Sequence, residues 1–190
     1  MAAPEMPLER LEPWTFDDLL DLPESLWRVE IVDGGVVMTP PPGSLHEVVS
    51  YGVRKALSDL MPPGYWPLGP IGIDIHPTYL IPDIVVVRAE DELHDKNRLD
   101  PAEVFLVVEV VSTGSVSNDR ILKPAKYAAA GIPAYWRVET RPEVSLTAYA
   151  LADGATVYTE TGTWGVSETA YLTKPFEMEV PVAGFRWPRS

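Results

Sequence analysis

Two carboxylates interrupt runs of residues that otherwise ask only for valine and isoleucine. Asp83 follows Pro82 and opens Ile84-Val85-Val86-Val87, and Glu109 sits inside Phe105-Leu106-Val107-Val108-Glu109-Val110-Val111. An ionised carboxylate buried without a partner is costly or is driven to protonate, so two on adjacent strands call for a cation between them. A divalent metal ion would supply it. Mg²⁺ is held by one or two carboxylates, carbonyls, waters and phosphate oxygens, the arrangement of metal-assisted phosphodiester hydrolysis. Taken singly, each acid has a plainer explanation, with Asp83 capping a strand entrance and Glu109 pairing with a buried Arg or Lys. Taken together they point to a site, because their strands are the natural neighbours in a sheet and both would project from one edge of it.

Such a site also needs a charge stabiliser. Side chains alternate along a strand, so residue 111 faces the same way as Glu109, and it is Val. The helix expected next carries Lys123 and Lys126, and residues 112–138 hold Arg120, Lys123, Lys126 and Arg137 against Asp119, a net charge of +3 in a segment that is the only distinctly basic one. Either ammonium could stabilise charge on a phosphorane. The plainer reading is an Asp119–Lys123 pair on a solvated helix face. Glu30 and His46 are candidates for supporting positions around the site. His76 and His94 show no metal-ligand spacing, Ser112 lies in no nucleophile elbow, and no glycine-rich phosphate loop is present. Serine hydrolase, NTP-binding and dinucleotide redox chemistry therefore fall away.

The elements that must position these residues follow from periodicity. Thr15-Phe16-Asp17-Asp18 predicts a capping box and a short helix ending near Pro23. Two β-rich runs within Trp27–Met38, joined by Asp33-Gly34-Gly35, predict a hairpin. Ser44 is placed to cap a helix reaching Leu60, with Val48, Val49, Val53, Ala56, Leu57 and Leu60 on its apolar face. Extended runs at 71–75, 81–87 and 104–111 follow, the last two central in the sheet. A helix over 119–130, stopped by Gly131 and Pro133, leads to a strand at 134–139 and to a tail with strands at 144–150, 155–160 and 176–185. The order implies an α/β (α+β) protein in which a crossover helix joins two strands.

Composition limits the rest. The 190 residues, 46% apolar and 23% charged, suit one compact domain, here 25–190 behind an acidic arm at 1–24 that holds seven acids and one base. The absence of cysteine excludes disulfide scaffolds, thiolate metal sites and cysteine nucleophiles. The first residues lack the basic and apolar regions of an export signal, so a cytoplasmic location is expected, and no apolar run is long enough to cross a bilayer. A net charge of −13 repels nucleic acid as a whole, so a polyanionic substrate must be met locally.

The succession Arg28-Val29-Glu30-Ile31-Val32-Asp33-Gly34, His46 opening a helix, Pro82-Asp83, Val108-Glu109-Val110-Val111-Ser112, Asp119-Arg120, Lys123, Tyr127, Gly131-Ile132-Pro133 and Tyr135-Trp136 resembles the Uma2 family. That is a bacterial group of endonuclease-like proteins similar to the PD-(D/E)XK nuclease superfamily, and the match spans roughly residues 14–185. The resemblance implies a restriction-endonuclease-like core, a central mixed β-sheet flanked by helices, with an N-terminal hairpin and a β-rich C-terminal tail. It implies Mg²⁺, with Mn²⁺ as substitute, held by Asp83, Glu109 and the carbonyl of Val110. The lysine usual two places after the strand acid is replaced by Val111, and its role passes to Lys123. Glu30 and His46 match further family positions. The implied activity is DNA phosphodiester hydrolysis, with a homodimer as one way to present two basic helices to a duplex. The alternative is a nuclease fold kept as a non-catalytic binding module, which the acidic arm and the altered loop 112–117 would suit. Pro124 means that the helix either starts late, with proline in its first turn, or bends, and in that case Lys126 could be the amine at the site.

Overall fold

The computed structural model describes residues 12–89, 95–111 and 121–186. In order the chain forms α1 (Phe16–Leu20), β1 (Arg28–Val32), β2 (Gly35–Thr39), α2 (Ser44–Leu60), β3 (Tyr65–Leu68), β4 (Gly72–Ile75), β5 (Thr78–Leu80), β6 (Ile84–Arg88), β7 (Arg98–Leu99), β8 (Val104–Val111), α3 (Lys123–Ala129), β9 (Ala134–Glu139), β10 (Ser145–Ala150), β11 (Thr159–Gly165), β12 (Thr169–Leu172) and β13 (Met178–Pro181). A six-stranded sheet runs β11-β10-β9-β8-β6-β3, a five-stranded one runs β2-β1-β5-β4-β7, and β12 pairs with β13.

The two valine-rich runs lie side by side in the six-stranded sheet, antiparallel, with Ile84 opposite Val108 and Val85 opposite Val107. Alternation then divides their side chains between two cores. Ile84, Val86, Leu106, Val108 and Val110 pack with Val49, Val53 and Leu57 of α2 and with Trp136 and Phe185. Val85, Val87, Val104 and Val107 pack with Tyr127 of α3, Ile132 and Tyr135. Burial on both faces is why these strands read as unbroken apolar runs. Each such Val or Leu side chain contributes about 1.5–3 kcal/mol.

β8 and β9 are parallel, so α3 is the crossover between them. The α-helical part of α3 begins at Lys123, with Pro124 in its first turn, and follows directly on a π-helical step at Ile121 and Leu122; the expected start at Asp119, with Arg120 and the loop 112–117, lies outside the described residues. Gly131, at φ +82°, supplies the left-handed residue that ends it.

The hairpin β1–β2 closes on Asp33 and Gly34, both at positive φ (49° and 80°), the two-residue turn whose twist matches its strands. It is tied to β5 through Ile31 opposite Tyr79 and through Gly34 N–H to the Pro77 carbonyl (3.0 Å). In α1 the Asp18 carboxylate accepts from both the amide and the hydroxyl of Thr15 (2.8 and 2.6 Å), and the helix stops at Leu20, short of Pro23.

Three expectations need correction. Gly43, not Ser44, caps α2, and Ser44 is its first helical residue. Leu60 is 41% exposed, and Gly52 takes a buried place on that helix because a Cβ there would lie 2.7 Å from the Gly184 carbonyl oxygen. In the tail, β11 begins at Thr159 rather than 155, β12 is an added strand, and the last segment is a short strand followed by a 3₁₀ turn at Val182–Phe185. The solvent-facing part of β11, with its glycine and threonines, has little apolar alternation to announce it.

Candidate active site

Parity along β8 decides where Glu109 goes. It shares a face with Val107 and Val111, the face on which α3 packs, and it is 1% exposed. Tyr127 donates its hydroxyl to Glu109 Oε1 (2.7 Å), and the Lys123 amine lies 3.2 Å from the same oxygen. Lys123 and Tyr127 stand four apart on α3, hence on one side of the helix. The same amine lies 3.0 Å from Oε1 of Glu30, which also accepts the backbone amide of Ile81 at 2.7 Å. Lys123 thus bridges the hairpin strand β1 and the central strand β8, with all three side chains buried. Burial foremost, and then the charge of Glu109, pushes the Tyr127 phenol well above its usual value, so it remains a hydrogen-bond donor.

Asp83 sits just before β6, after the Ile81-Pro82 segment, one step beyond the Ile84–Val108 pair and so across from Glu109. Its Oδ1 accepts from both terminal nitrogens of Arg28 at 3.0 Å, and its Oδ2 accepts the Val110 amide at 2.8 Å and contacts His46 Nε2 at 3.1 Å. Arg28 also donates to the Ile81 carbonyl (3.1 Å), which fixes the approach to β6. Burial alone would raise the Asp83 carboxyl, but the His46 hydrogen bond, the charges of His46 and Arg28, and the Val110 amide outweigh it and hold it below the usual carboxylate range. His46 responds in the opposite sense. Burial disfavours its charged form, yet the bond to Asp83 and the charges of Asp83 and Glu47 prevail and lift its pKa above the ordinary 6.5.

The cluster therefore holds three acids (Glu30, Asp83, Glu109), two permanent cations (Arg28, Lys123) and one titratable cation (His46). With His46 neutral it carries one negative charge in excess. Beside Asp83 the surface opens into a cleft of about 60 Å³ reached by Arg28, His46, Ser50, Tyr51 and Arg54.

The residues singled out from the sequence are distributed as follows. Asp83, Glu109, Lys123, Glu30 and His46 share this network, and His46 touches Asp83 directly rather than standing behind it. Lys126 does not join it, because its amine pairs with Asp33 at the hairpin turn and draws that carboxyl below its usual pKa. Lys123 is buried between carboxylates, not on a solvated face. Val110 contributes through its amide. Two members were not assigned a part, Arg28 and Tyr127. Their signals were present in the spacing, since Arg28 is two before Glu30 on one strand and Tyr127 four after Lys123 on one helix.

The donor set suits a hard divalent cation in type, being carboxylate oxygens in a cluster short of positive charge, but not in vacancy. A carboxylate offers about four acceptor positions, and Asp83 already has contacts with Arg28 (twice), His46 and the Val110 amide. Among the described residues no group of three or more His, Asp and Glu side chains is arranged as a ready metal cage. An ion at Asp83 would have to replace one of these donors.

The fold is that of a nuclease-like α+β protein. It superimposes with a TM-score of 0.66 on the crystal structure titled as a putative nuclease belonging to DUF820 from Anabaena variabilis ATCC 29413, at 16% identity, over 91% of this chain and 97% of that one. Residues 16–183 match the family described as "Uma2: Putative restriction endonuclease", and the chain belongs to that family. A comparison with curated proteins returns no match. Among the described residues no helix is long and apolar enough to cross a membrane.

Proposed function

We propose that this chain is a metal-dependent endonuclease that hydrolyses DNA phosphodiester bonds at the Asp83–Glu109–Lys123 network. The observation that carries the reading is the meeting of Glu30 and Glu109, from two separate strands, on one buried amine, with Asp83 opposite Glu109 at the edge of an open cleft. Nucleic acid as substrate class is supported by the family. Asp83 and Glu109, with the Val110 carbonyl, would hold the divalent ion, and Glu30 fixes Lys123 in place. The bound ion would supply Lewis-acid charge at the phosphoryl group and make the attacking water more acidic. Lys123 stabilises the developing negative charge from a fixed position, and Tyr127 acts through Glu109 by fixing its orientation. Arg28, whose side chain is 21% exposed at the cleft, would orient a phosphate oxygen there.

One observation favours a second reading, a nuclease fold that binds without cleaving. Each acid is already paired with Arg28, His46 or Lys123, so their burial does not by itself require a metal. Plasmid cleavage with Mg²⁺ and Mn²⁺, paired with thermal melting against metal concentration, separates the two. The enzyme reading expects nicking by wild type, none by Lys123→Ala, and a metal-induced rise in Tm that Asp83→Asn abolishes. Wild type that neither nicks DNA nor responds to either ion would leave the binding module.

A further inference from the structure

The surface that continues from the Asp83 cleft is built for a different task. Tyr51 and Arg54 line the cleft and also an adjoining groove of about 370 Å³ that runs between α2 and the edge strand β3, past Lys55, Trp66 and Gly69. The two banks each present a large aromatic ring to solvent, Tyr51 on α2 at 63% exposure and Trp66 on β3 at 58%. Arg54 lies exposed with them and has no hydrogen-bond or ion-pair partner among the described residues. Gly69 leaves room for the guanidinium beside it, since a Cβ at that position would come within 2.7 Å of Arg54 Nη1. Lys55, by contrast, pairs with Asp59 one turn along.

A cation that has no partner among the described residues and shares a groove with two exposed rings stands out in a chain of net charge −13. It selects a ligand that is both anionic and aromatic. The direction of the groove is set by α2. His46, Ser50 and Arg54 recur at four-residue spacing on one ridge, so Arg54 stands about 12 Å along the helix from the imidazole that touches Asp83. At the duplex rise of ~3.4 Å per nucleotide that distance holds about three nucleotides, and a more extended unpaired strand fits fewer. Bases within a duplex are stacked on one another and have no free face to offer, whereas an unpaired strand does.

We propose that this groove is a stacking platform for single-stranded nucleic acid, with bases on Tyr51 and Trp66 and a phosphate on Arg54, the strand leading into the Asp83 cleft. The proposal deepens the nuclease reading and rests on it for the direction of the strand, while binding at the groove requires neither metal nor cleavage. The test is fluorescence anisotropy in EDTA with a labelled oligothymidylate and with a blunt duplex of equal length, at about 50 and about 200 mM salt. The single strand should bind more tightly than the duplex. Trp66→Ala and Tyr51→Ala should each weaken it by about 5- to 150-fold, with Trp66→Phe retaining most of the affinity. Arg54→Ala should lower the slope of log K against log salt by about 0.7. These side chains are exposed, so an unchanged urea midpoint should accompany each loss. Equal affinity for duplex, Trp66→Ala binding like wild type, or no oligonucleotide binding at all would overturn the platform. Binding that depends on Trp66 in a protein that never cleaves would uphold the platform and sink the nuclease reading alone; cleavage without dependence on Trp66 would do the reverse.

Discussion

Asp83 and Glu109 stand across from each other on neighbouring strands, yet they are held in opposite ways. Glu109 is enclosed, bound by an amine and a phenol from α3, and that amine also ties in Glu30 from the hairpin. Asp83 borders a cleft, and two of its three partners, Arg28 and His46, reach it from β1 and α2. The first acid is locked by packing that joins three elements; the second is held by donors that can be exchanged. In the proposed site the first would keep the network assembled and the second would face the cleft.

Substitution of the locking cation should give the largest effect. Lys123→Met leaves Glu30 and Glu109 buried with their shared amine gone, and loss of one partner from a buried ion pair costs about 3–5 kcal/mol. Arg28→Met should cost less, because His46 and the Val110 amide still hold Asp83. Urea unfolding of the two variants reads the difference, and an equal or smaller loss for Lys123→Met would erase the distinction between the two acids.

Tyr127→Phe comes next. It removes one buried donor from Glu109 without changing the shape of the core, and an unsatisfied acceptor of this kind costs about 1–3 kcal/mol. The same urea assay should place it below Lys123→Met and show no change in slope with denaturant. A neutral result would mean that the amine alone holds Glu109.

How much of this was legible in the sequence follows from where each interaction is encoded. β6 and β8 were readable because burial on both faces leaves an unbroken apolar run, and an acid inside such a run is conspicuous. The hairpin was readable because Asp33-Gly34 is local turn chemistry. The strands of the tail were placed less well, since their boundaries depend on partners distant in the chain. Within the site, the grouping of Glu30 with Lys123 could not be read from spacing. Glu30 and Lys123 are far apart in sequence and meet only because β1 pairs with β5 while α3 crosses from β8 to β9. Pro124 left the choice between Lys123 and Lys126 open, and it is the packing of α3 on β8 that turns the Lys123 amine inward while Lys126 reaches Asp33.

The smallest effect is the one that tests exchangeability most directly, the dependence of stability on pH. His46 has a folded pKa above its ordinary 6.5, so its protonated form is favoured by folding. The stability that it adds is complete below about pH 6.5 and is lost as the pH rises through the raised folded value. Asp83 works at the other end, with a folded pKa below 3.8, so its contribution holds above about 3.8 and is lost as the pH falls through the lowered value. The stability difference between wild type and His46→Gln should therefore be greatest in mildly acidic solution and shrink toward alkaline pH. Tyr127, with its pKa pushed well above 10, changes charge nowhere in that range, and its substitution should cost the same throughout about pH 5–8. Urea midpoints for the two variants across that interval should give one sloping difference and one flat one. If the His46→Gln difference is also flat, the imidazole is not charged against Asp83.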